Sequence, residues 1–163
     1  HEIQILHVRK ERNVHVLVDN QLNQRLLLMF LCLHHKKLEL FEQSCNYGEI
    51  QSCNNLGYFY YYGTVIPKSI EKAIPLFEKA CEGGYATSCY GLGMSYYNGE
   101  GVTQSIEKAL SLFEKACSGN DSDACYAIGV LYENGEGVPK STEKAQQYYK
   151  KSCDLGNKKA CKP

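Results

Sequence analysis

The feature that most constrains the fold is a segment that recurs at a fixed spacing of 36 residues. Residues 69–89 read SIEKAIPLFEKACEGGYATSC and residues 105–125 read SIEKALSLFEKACSGNDSDAC, so that 13 of 21 positions are identical. The same spacing places Ser141, Glu143 and Lys144 at the start of a third copy. Self-similarity at a period of about 20–50 residues indicates a solenoid, in which each unit buries its apolar face by stacking on its neighbours. The sequence therefore predicts an array of one repeated unit.

Each unit is predicted to be a pair of helices joined by a turn. The turns carry Gly where a helix stops and Ser where the next one starts. Gly101 and Gly137 are expected to adopt a left-handed backbone, and because Val65 replaces them in the first turn, that turn is expected to differ. Pro75 lies inside a predicted helix and is expected to kink it. The predicted pairs are 50–62 with 69–82, 86–98 with 105–118, and 122–134 with 141–155.

Helical spacing also predicts which side chains pack inside a unit. One face of the first helix carries Leu92, Gly93 and Tyr96, and the glycine is expected to let the second helix approach closely. The facing positions on the second helix are Ala109, Leu112, Phe113 and Ala116.

Eight of the nine cysteines follow the period, and each member of one row is followed by its partner eight positions later. Because every unit must solve the same packing problem, repeat symmetry favours one pairing. An oxidising compartment would join such thiols, so the pattern favours export. A zinc site is disfavoured because its ligands must lie within about 4 Å of each other, whereas stacked units lie roughly 10 Å apart. The predicted disulfides are Cys45–Cys53, Cys81–Cys89, Cys117–Cys125 and Cys153–Cys161.

Composition narrows the classes of partner. The 163 residues include 18 basic and 18 acidic side chains, so that the formal net charge is zero. Such a chain has no long-range field to collect nucleic acid or anionic lipid. We therefore expect no nucleic-acid partner. We also expect no membrane span, no metal and no cofactor, and we expect a monomer.

Residues 1–37 do not match the repeat and are interpreted as a leader that is disordered or forms a short hairpin. Alternating apolar residues within 3–18 favour two short strands. The apolar stretch 26–33 is too short to span a bilayer. Cys32, His34 and His35 form a weak cluster, which we interpret as part of a solvated segment with one free thiol. The repeat array is assigned to residues 38–163.

The motifs of one unit resemble a known family. Leu-Gly-x-x-Tyr, Gly-x-Gly-Val, Glu-Lys-Ala and Phe-Glu-Lys-Ala-Cys are similar to the Sel-one-like (Sel1-like) repeat, a relative of the tetratricopeptide repeat. The 36-residue unit with cysteines eight apart resembles the Helicobacter cysteine-rich protein family, over residues 38–163. The resemblance implies an all-α, right-handed helical-repeat solenoid, secretion and one disulfide per repeat. Several members of that family bind penicillin and have weak β-lactamase activity, so the resemblance also implies these properties. The family's usual export signal is not recognisable in residues 1–37.

The resemblance to tetratricopeptide repeats also implies that the first helices line a concave groove. Tyrosine rings supply contact area there at low entropic cost, and amides can hydrogen-bond a peptide backbone. The alternative is that several of these tyrosines only cover neighbouring helices. The predicted groove residues are Asn54, Tyr58, Tyr61, Tyr62, Tyr90, Met94, Tyr97, Asn98, Tyr126, Val130, Glu133 and Asn134.

Serine β-lactamase motifs are only partly present, and no catalytic residue is assigned. Ser-x-x-Lys occurs at Ser69/Lys72, Ser105/Lys108 and Ser141/Lys144, and Tyr-x-Asn occurs at Tyr96/Asn98 and Tyr132/Asn134, but Lys-Thr-Gly is absent from the sequence. Each of these serines precedes a helix, so N-capping explains it. The repeats contain no His, which excludes a Ser-His-Asp arrangement within them. Glu133 is the best acid or base candidate in the groove.

These observations predict a secreted or periplasmic repeat protein that binds an extended peptide or a peptidoglycan-like ligand in the groove. Penicillins mimic the peptide terminus of peptidoglycan, so one groove could serve both binding and weak lactam hydrolysis. The alternative is a non-catalytic adaptor between proteins. The expected partner is a peptide, a protein or a peptidoglycan fragment.

Overall fold

The computed structural model describes residues 35–64 and 66–161, and the chain forms two compact units, residues 1–40 and 41–163. Of the first unit, the described residues 35–40 are helical. The second unit is a succession of helices, and no strand occurs among its described residues. Residues 35–46 form α1, and the later helices are α2 (Ile50–Tyr62), α3 (Ile70–Glu82), α4 (Ala86–Asn98), α5 (Ile106–Ser118), α6 (Ser122–Asn134) and α7 (Thr142–Asp154).

The predicted helix pairs are confirmed to within one residue at each end. α2 packs on α3, α4 on α5 and α6 on α7, and successive pairs stack through α3 on α4 and α5 on α6. The left-handed backbone predicted at Gly101 and Gly137 is also confirmed, with φ of 72° and 68°. At Gly137 a Cβ would also collide with Ile106, so conformation and space both favour glycine there.

Close approach within each pair depends on glycine facing an aromatic ring. Phe113 of α5 is 1% exposed and lies against Gly93 of α4, where an added Cβ would lie 2.6 Å from the ring. The same arrangement joins Gly57 to Phe77 and Gly129 to Tyr149. The predicted packing residues are therefore confirmed: Leu92, Gly93, Ala109, Phe113 and Ala116 are buried, and Tyr96 and Leu112 are half-buried.

The four predicted disulfides are present, with sulfur atoms joined in the pattern 45–53, 81–89, 117–125 and 153–161. The first three tie the last turn of a second helix to the first turn of the next first helix, and their cysteines are at most 3% exposed. The fourth differs because Cys161 follows a turn rather than a helix start and is exposed. Since these sulfurs are bonded to one another, their thiolates are not available as zinc ligands.

Some predictions fall outside the described residues. These are the leader strands within 3–18, the apolar stretch 26–33, the residues Cys32 and His34, and the turn shape at Val65. Pro75 lies within α3, which runs without a break from Ile70 to Glu82, and its kink stays a prediction. Among the described helices, none has the length and apolar character needed to cross a membrane.

Candidate binding groove

A pocket of about 260 Å³ opens between α4 and α6, the first helices of two successive units. Five of the predicted groove residues line it together: Tyr90, Met94, Tyr97, Tyr126 and Val130. Its remaining lining residues are Phe113, Asp123, Ala127, Leu131, Asn157 and Lys159. We call this space the α4–α6 pocket. It combines aromatic and aliphatic walls with a few polar groups, which is the composition of most small binding sites.

The α4–α6 pocket exists because residue 94 is a methionine. The equivalent residue one unit earlier, Tyr58, packs edge-on against Phe77 with ring centres 4.9 Å apart and donates its hydroxyl to the Thr87 carbonyl over 2.7 Å. Burial is the main cause that raises the pKa of Tyr58 above its usual range. Met94 has neither a ring nor a hydroxyl to span the same distance, so space remains between α4 and α6.

Polar groups gather at the α6 end of the pocket. Asp123 Oδ1 accepts a hydrogen bond from Asn157 Nδ2 over 2.9 Å, and Asn157 Oδ1 accepts one from the Lys159 backbone N–H over 3.1 Å. Asp121 caps α6 by accepting from the Ala124 N–H over 2.9 Å, while burial raises the pKa of its carboxyl. Burial, and then the charges of Asp123 and Asp121, raise the pKa of Tyr90 to about 12.

Two tyrosines of the predicted groove make contacts between units through their hydroxyls. Tyr61 donates to Glu100 over 3.4 Å, and Tyr97 donates to Glu136 over 2.8 Å. The hydrogen bond to Glu136 is the main cause that raises the pKa of Tyr97. Tyr97 therefore has two roles, because its hydroxyl joins neighbouring units while the residue also lines the pocket.

Asn54 is placed differently from the other groove residues. It is 7% exposed, and its Oδ1 accepts hydrogen bonds from Thr87 over 3.0 Å and from Ser88 over 2.8 Å. The side chain therefore holds α2 against α4. Contact with a ligand would require it to give up these bonds. By contrast, Tyr62 on the same helix is 63% exposed, and its ring stacks on that of Tyr58.

The polar residues predicted at the α6 edge are also engaged within the protein. Glu133 accepts a hydrogen bond from the Tyr149 hydroxyl over 2.5 Å. Asn134 Nδ2 donates to Glu136 over 2.9 Å. Asn98, the predicted groove amide on α4, is instead exposed at the end of that helix. The Glu133 carboxylate is thus used to hold α6 against α7, and an acid or base role for it stays a prediction.

Both members of the Ser-x-x-Lys motif have structural roles. Ser105 and Ser141 each accept a hydrogen bond from the backbone N–H three residues later, over 3.3 Å. N-capping is confirmed at these two serines, whereas Ser69 makes no such bond and donates instead to Glu71. The lysine ammonium lies over a tyrosine ring in every unit, at 5.3 Å for Lys72 on Tyr60, 5.1 Å for Lys108 on Tyr96 and 5.0 Å for Lys144 on Tyr132. The Tyr-x-Asn tyrosines are the same rings.

Several lining residues were not predicted from the sequence, and they fall into three groups. Asp123 and Ala127 lie near Tyr126 on α6, so the helical period could have indicated them. Asn157 and Lys159 follow α7 and therefore belong to the connection after a second helix. That connection was not considered as part of the groove, although the 36-residue offset makes Lys159 equivalent to Asp123. The others are the core residues Phe113 and Leu131.

Comparison with known proteins agrees with this architecture. Three successive segments, residues 50–85, 86–121 and 122–157, match the model of the Sel1 repeat. No curated protein sequence matches the chain.

Three solved structures are similar to the chain. A Sel1 repeat protein from Oxalobacter formigenes is 28% identical, with a TM-score of 0.73, over 78% of this chain and 52% of that one. A protective antigen of uropathogenic Escherichia coli with an SLR fold is 31% identical, with a TM-score of 0.71, over 76% and 26%. Cysteine-rich protein B of Helicobacter pylori is 28% identical, with a TM-score of 0.62, over 76% and 94%. The chain thus spans about half of the first structure and about a quarter of the second.

Proposed function

Because the chain belongs to the Sel1 repeat family, we propose that it is a binding module that recognises an extended peptide segment of a partner protein. The segment lies across α4 and α6 and places one side chain in the α4–α6 pocket. Helical-repeat arrays present extended surfaces of this kind to their partners.

The observation that carries the proposal is the pocket itself. Tyr90, Met94, Tyr97 and Tyr126 are half-buried around an open volume of about 260 Å³. Pockets for drug-sized molecules have roughly 300–1,000 Å³. The space between α4 and α6 lies just below that range, which favours one peptide side chain over a whole bicyclic lactam with its substituent.

We also propose that the protein works in an oxidising compartment, either secreted or periplasmic. Four disulfides within one chain support this, because cytosolic reductants keep such thiols reduced. The similarity to cysteine-rich protein B of Helicobacter pylori points the same way. A stapled array would hold α4 and α6 in register without needing a large continuous core.

A second candidate ligand follows from the resemblance to the Helicobacter cysteine-rich family: a peptidoglycan-like peptide, or a penicillin that mimics it, bound in the same groove and slowly hydrolysed. No serine nucleophile is proposed, because Ser105 and Ser141 are helix caps and their lysines lie over tyrosine rings. The pocket volume of about 260 Å³ lies below the range for drug-sized molecules, so this candidate is weaker than the peptide segment of a partner protein.

A display library of random peptides, selected on the oxidised protein, tests the first candidate. The affinity of a selected peptide is then measured by calorimetry for the wild type and for Met94→Tyr. This variant copies the residue that α2 carries at the same position, so it is expected to fold and to fill the pocket. We expect binding to weaken at least about tenfold, roughly 1.4 kcal/mol.

The matched control is Ser111→Tyr, which adds the same ring on the exposed side of α5. It should leave the affinity unchanged. Equal affinity of the wild type and Met94→Tyr would contradict a role for the pocket. The second candidate is tested in parallel with a muropeptide and a chromogenic cephalosporin. If hydrolysis persists in Met94→Tyr, lactams are bound and hydrolysed elsewhere on the chain.

A further inference from the structure

The charges at the α4–α6 pocket are mainly acidic. Asp123 lines the pocket, and Asp121 lies two residues earlier, at the N-cap of α6. Both carboxylates act on the Tyr90 hydroxyl strongly enough to contribute to its raised pKa. A third carboxylate, Glu136, accepts the hydrogen bond of Tyr97 at the opposite wall. The potential in this space therefore favours a cation.

The walls of the pocket are aromatic, which also suits a cation, because aromatic rings attract positive charge to their faces. The protein already pairs lysines with tyrosine rings, at 5.0–5.7 Å from the ring centres. Within residues 35–64 and 66–161, those pairs involve Tyr60, Tyr61, Tyr96 and Tyr132 and none of the pocket tyrosines. The rings of Tyr90, Tyr97 and Tyr126 thus have no such cation over them.

One basic side chain also lines the pocket. Lys159 is exposed and follows α7, and its backbone N–H is held by Asn157. Its ammonium is on a long flexible stem, so that it can leave the rim when another cation enters. It is therefore a competitor of an incoming cation.

We propose that the α4–α6 pocket selects a basic side chain, lysine or arginine, of the partner peptide, which lies among Tyr90, Tyr97 and Tyr126 and pairs with Asp123. This inference rests on the proposed function, because it names the residue type that the pocket takes. It also gives the partner a chemical description: an extended segment with a lysine or arginine between less charged neighbours.

The test uses three small probes: the Nα-acetyl amides of lysine, norleucine and glutamate. Norleucine has the same stem as lysine without the charge. Each is titrated into ¹⁵N-labelled oxidised protein, and dissociation constants are taken from the amide resonances of Tyr90, Met94 and Tyr126. We expect the lysine amide to bind about threefold more tightly than the norleucine amide, and the glutamate amide to bind most weakly.

Two variants separate charge from shape. Asp123→Asn keeps an oxygen that can accept from Asn157, so it removes the charge with little change in structure. It should abolish the preference for the lysine amide over the norleucine amide. Lys159→Ala removes the competing cation and should strengthen lysine binding about twofold. The preference for lysine over norleucine and the effect of Lys159→Ala should both become smaller in 1 M NaCl.

The outcomes distinguish this inference from the function on which it rests. If norleucine binds as tightly as lysine, or if Asp123→Asn leaves lysine binding unchanged, the selection of a basic residue is wrong while the pocket remains a side-chain site. If none of the three amides moves the resonances of Tyr90, Met94 and Tyr126, the pocket accepts no side chain and the proposed function is contradicted as well.

Discussion

Tyr97 donates its hydroxyl to Glu136 over 2.8 Å, across 39 residues of sequence. Because the repeat is 36 residues long, the bond runs from α4 to the turn that follows α6 in the next unit. Tyr61 and Glu100 make the same contact one unit earlier, at 3.4 Å. A tyrosine on the first helix therefore joins each of these units to its neighbour, which explains a glutamate in the turn as well as a tyrosine on the helix.

This contact predicts a difference between two equivalent substitutions. Tyr97→Phe should lower the free energy of unfolding by about 1 kcal/mol, because it removes a hydrogen bond to a carboxylate. Tyr61→Phe should cost less, since its bond is longer and weaker. Urea unfolding of both variants measures the two costs. A cost at Tyr61 equal to or above that at Tyr97 would show that the hydroxyl bonds do not couple the units.

The serines of Ser-x-x-Lys give a second prediction. Ser105→Ala and Ser141→Ala each remove a cap and should destabilise the fold by about 1 kcal/mol. Ser69→Ala is the matched control: Ser69 makes no side-chain bond to the backbone, so it should cost only a few tenths of that. Thermal unfolding checks the stability, and a chromogenic cephalosporin checks turnover. Loss of turnover in folded Ser105→Ala would mean that this serine is a nucleophile rather than a cap.

Three half-buried tyrosines predict a loss of stability in alkali. The pKa values of Tyr58, Tyr90 and Tyr149 are raised in the folded protein, with burial as the first cause in each case. A tyrosine in the unfolded chain loses its proton near pH 10. Above that pH the unfolded state binds fewer protons than the folded state, so stability falls as the pH rises, towards about 12 for Tyr90.

The check is urea unfolding at pH 8 to 11. Tyr90→Phe removes one of the titrating groups and should make the decline shallower. Tyr47→Phe is the control, because Tyr47 is 91% exposed and contacts little. A decline that is the same in the wild type and in Tyr90→Phe would refute the contribution of Tyr90.

Most of the fold could be predicted from the sequence because the repeat supplies several observations of one structure. Gly93 with Phe113 is the same contact as Gly57 with Phe77, so a packing rule inferred once applies at every unit. The cysteine pairing followed from the same symmetry. The predictions on residues 1–34 have no such support, since that stretch has no second copy.

The candidate site was less predictable because it depends on where the units differ. Tyr58 and Met94 occupy the same repeat position, but the tyrosine reaches Thr87 and the methionine leaves a pocket. The helical period cannot predict this difference, because it places both residues on the groove face of their helices. It also cannot show that Asn54 is held by Thr87 and Ser88.

The disulfides predict a definite pattern of labelling. Protein alkylated at the moment of lysis should carry one label among its nine cysteines, at Cys32, because the other eight are paired. Under limited reduction, Cys153–Cys161 should open first, since Cys161 is exposed and the cysteines of the other three bridges are buried. Peptide mass mapping identifies the labelled sites. Nine labels without reductant would contradict export to an oxidising compartment.

The measurement that tests peptide recognition most directly uses the two methionines of the chain, Met29 and Met94. Protein labelled with ¹³C only at the methionine methyl groups gives two signals, one of which reports from the wall of the α4–α6 pocket. Addition of a selected peptide should shift the Met94 signal in proportion to the bound fraction. A peptide that binds with the Met94 signal unchanged would show that recognition occurs somewhere other than between α4 and α6.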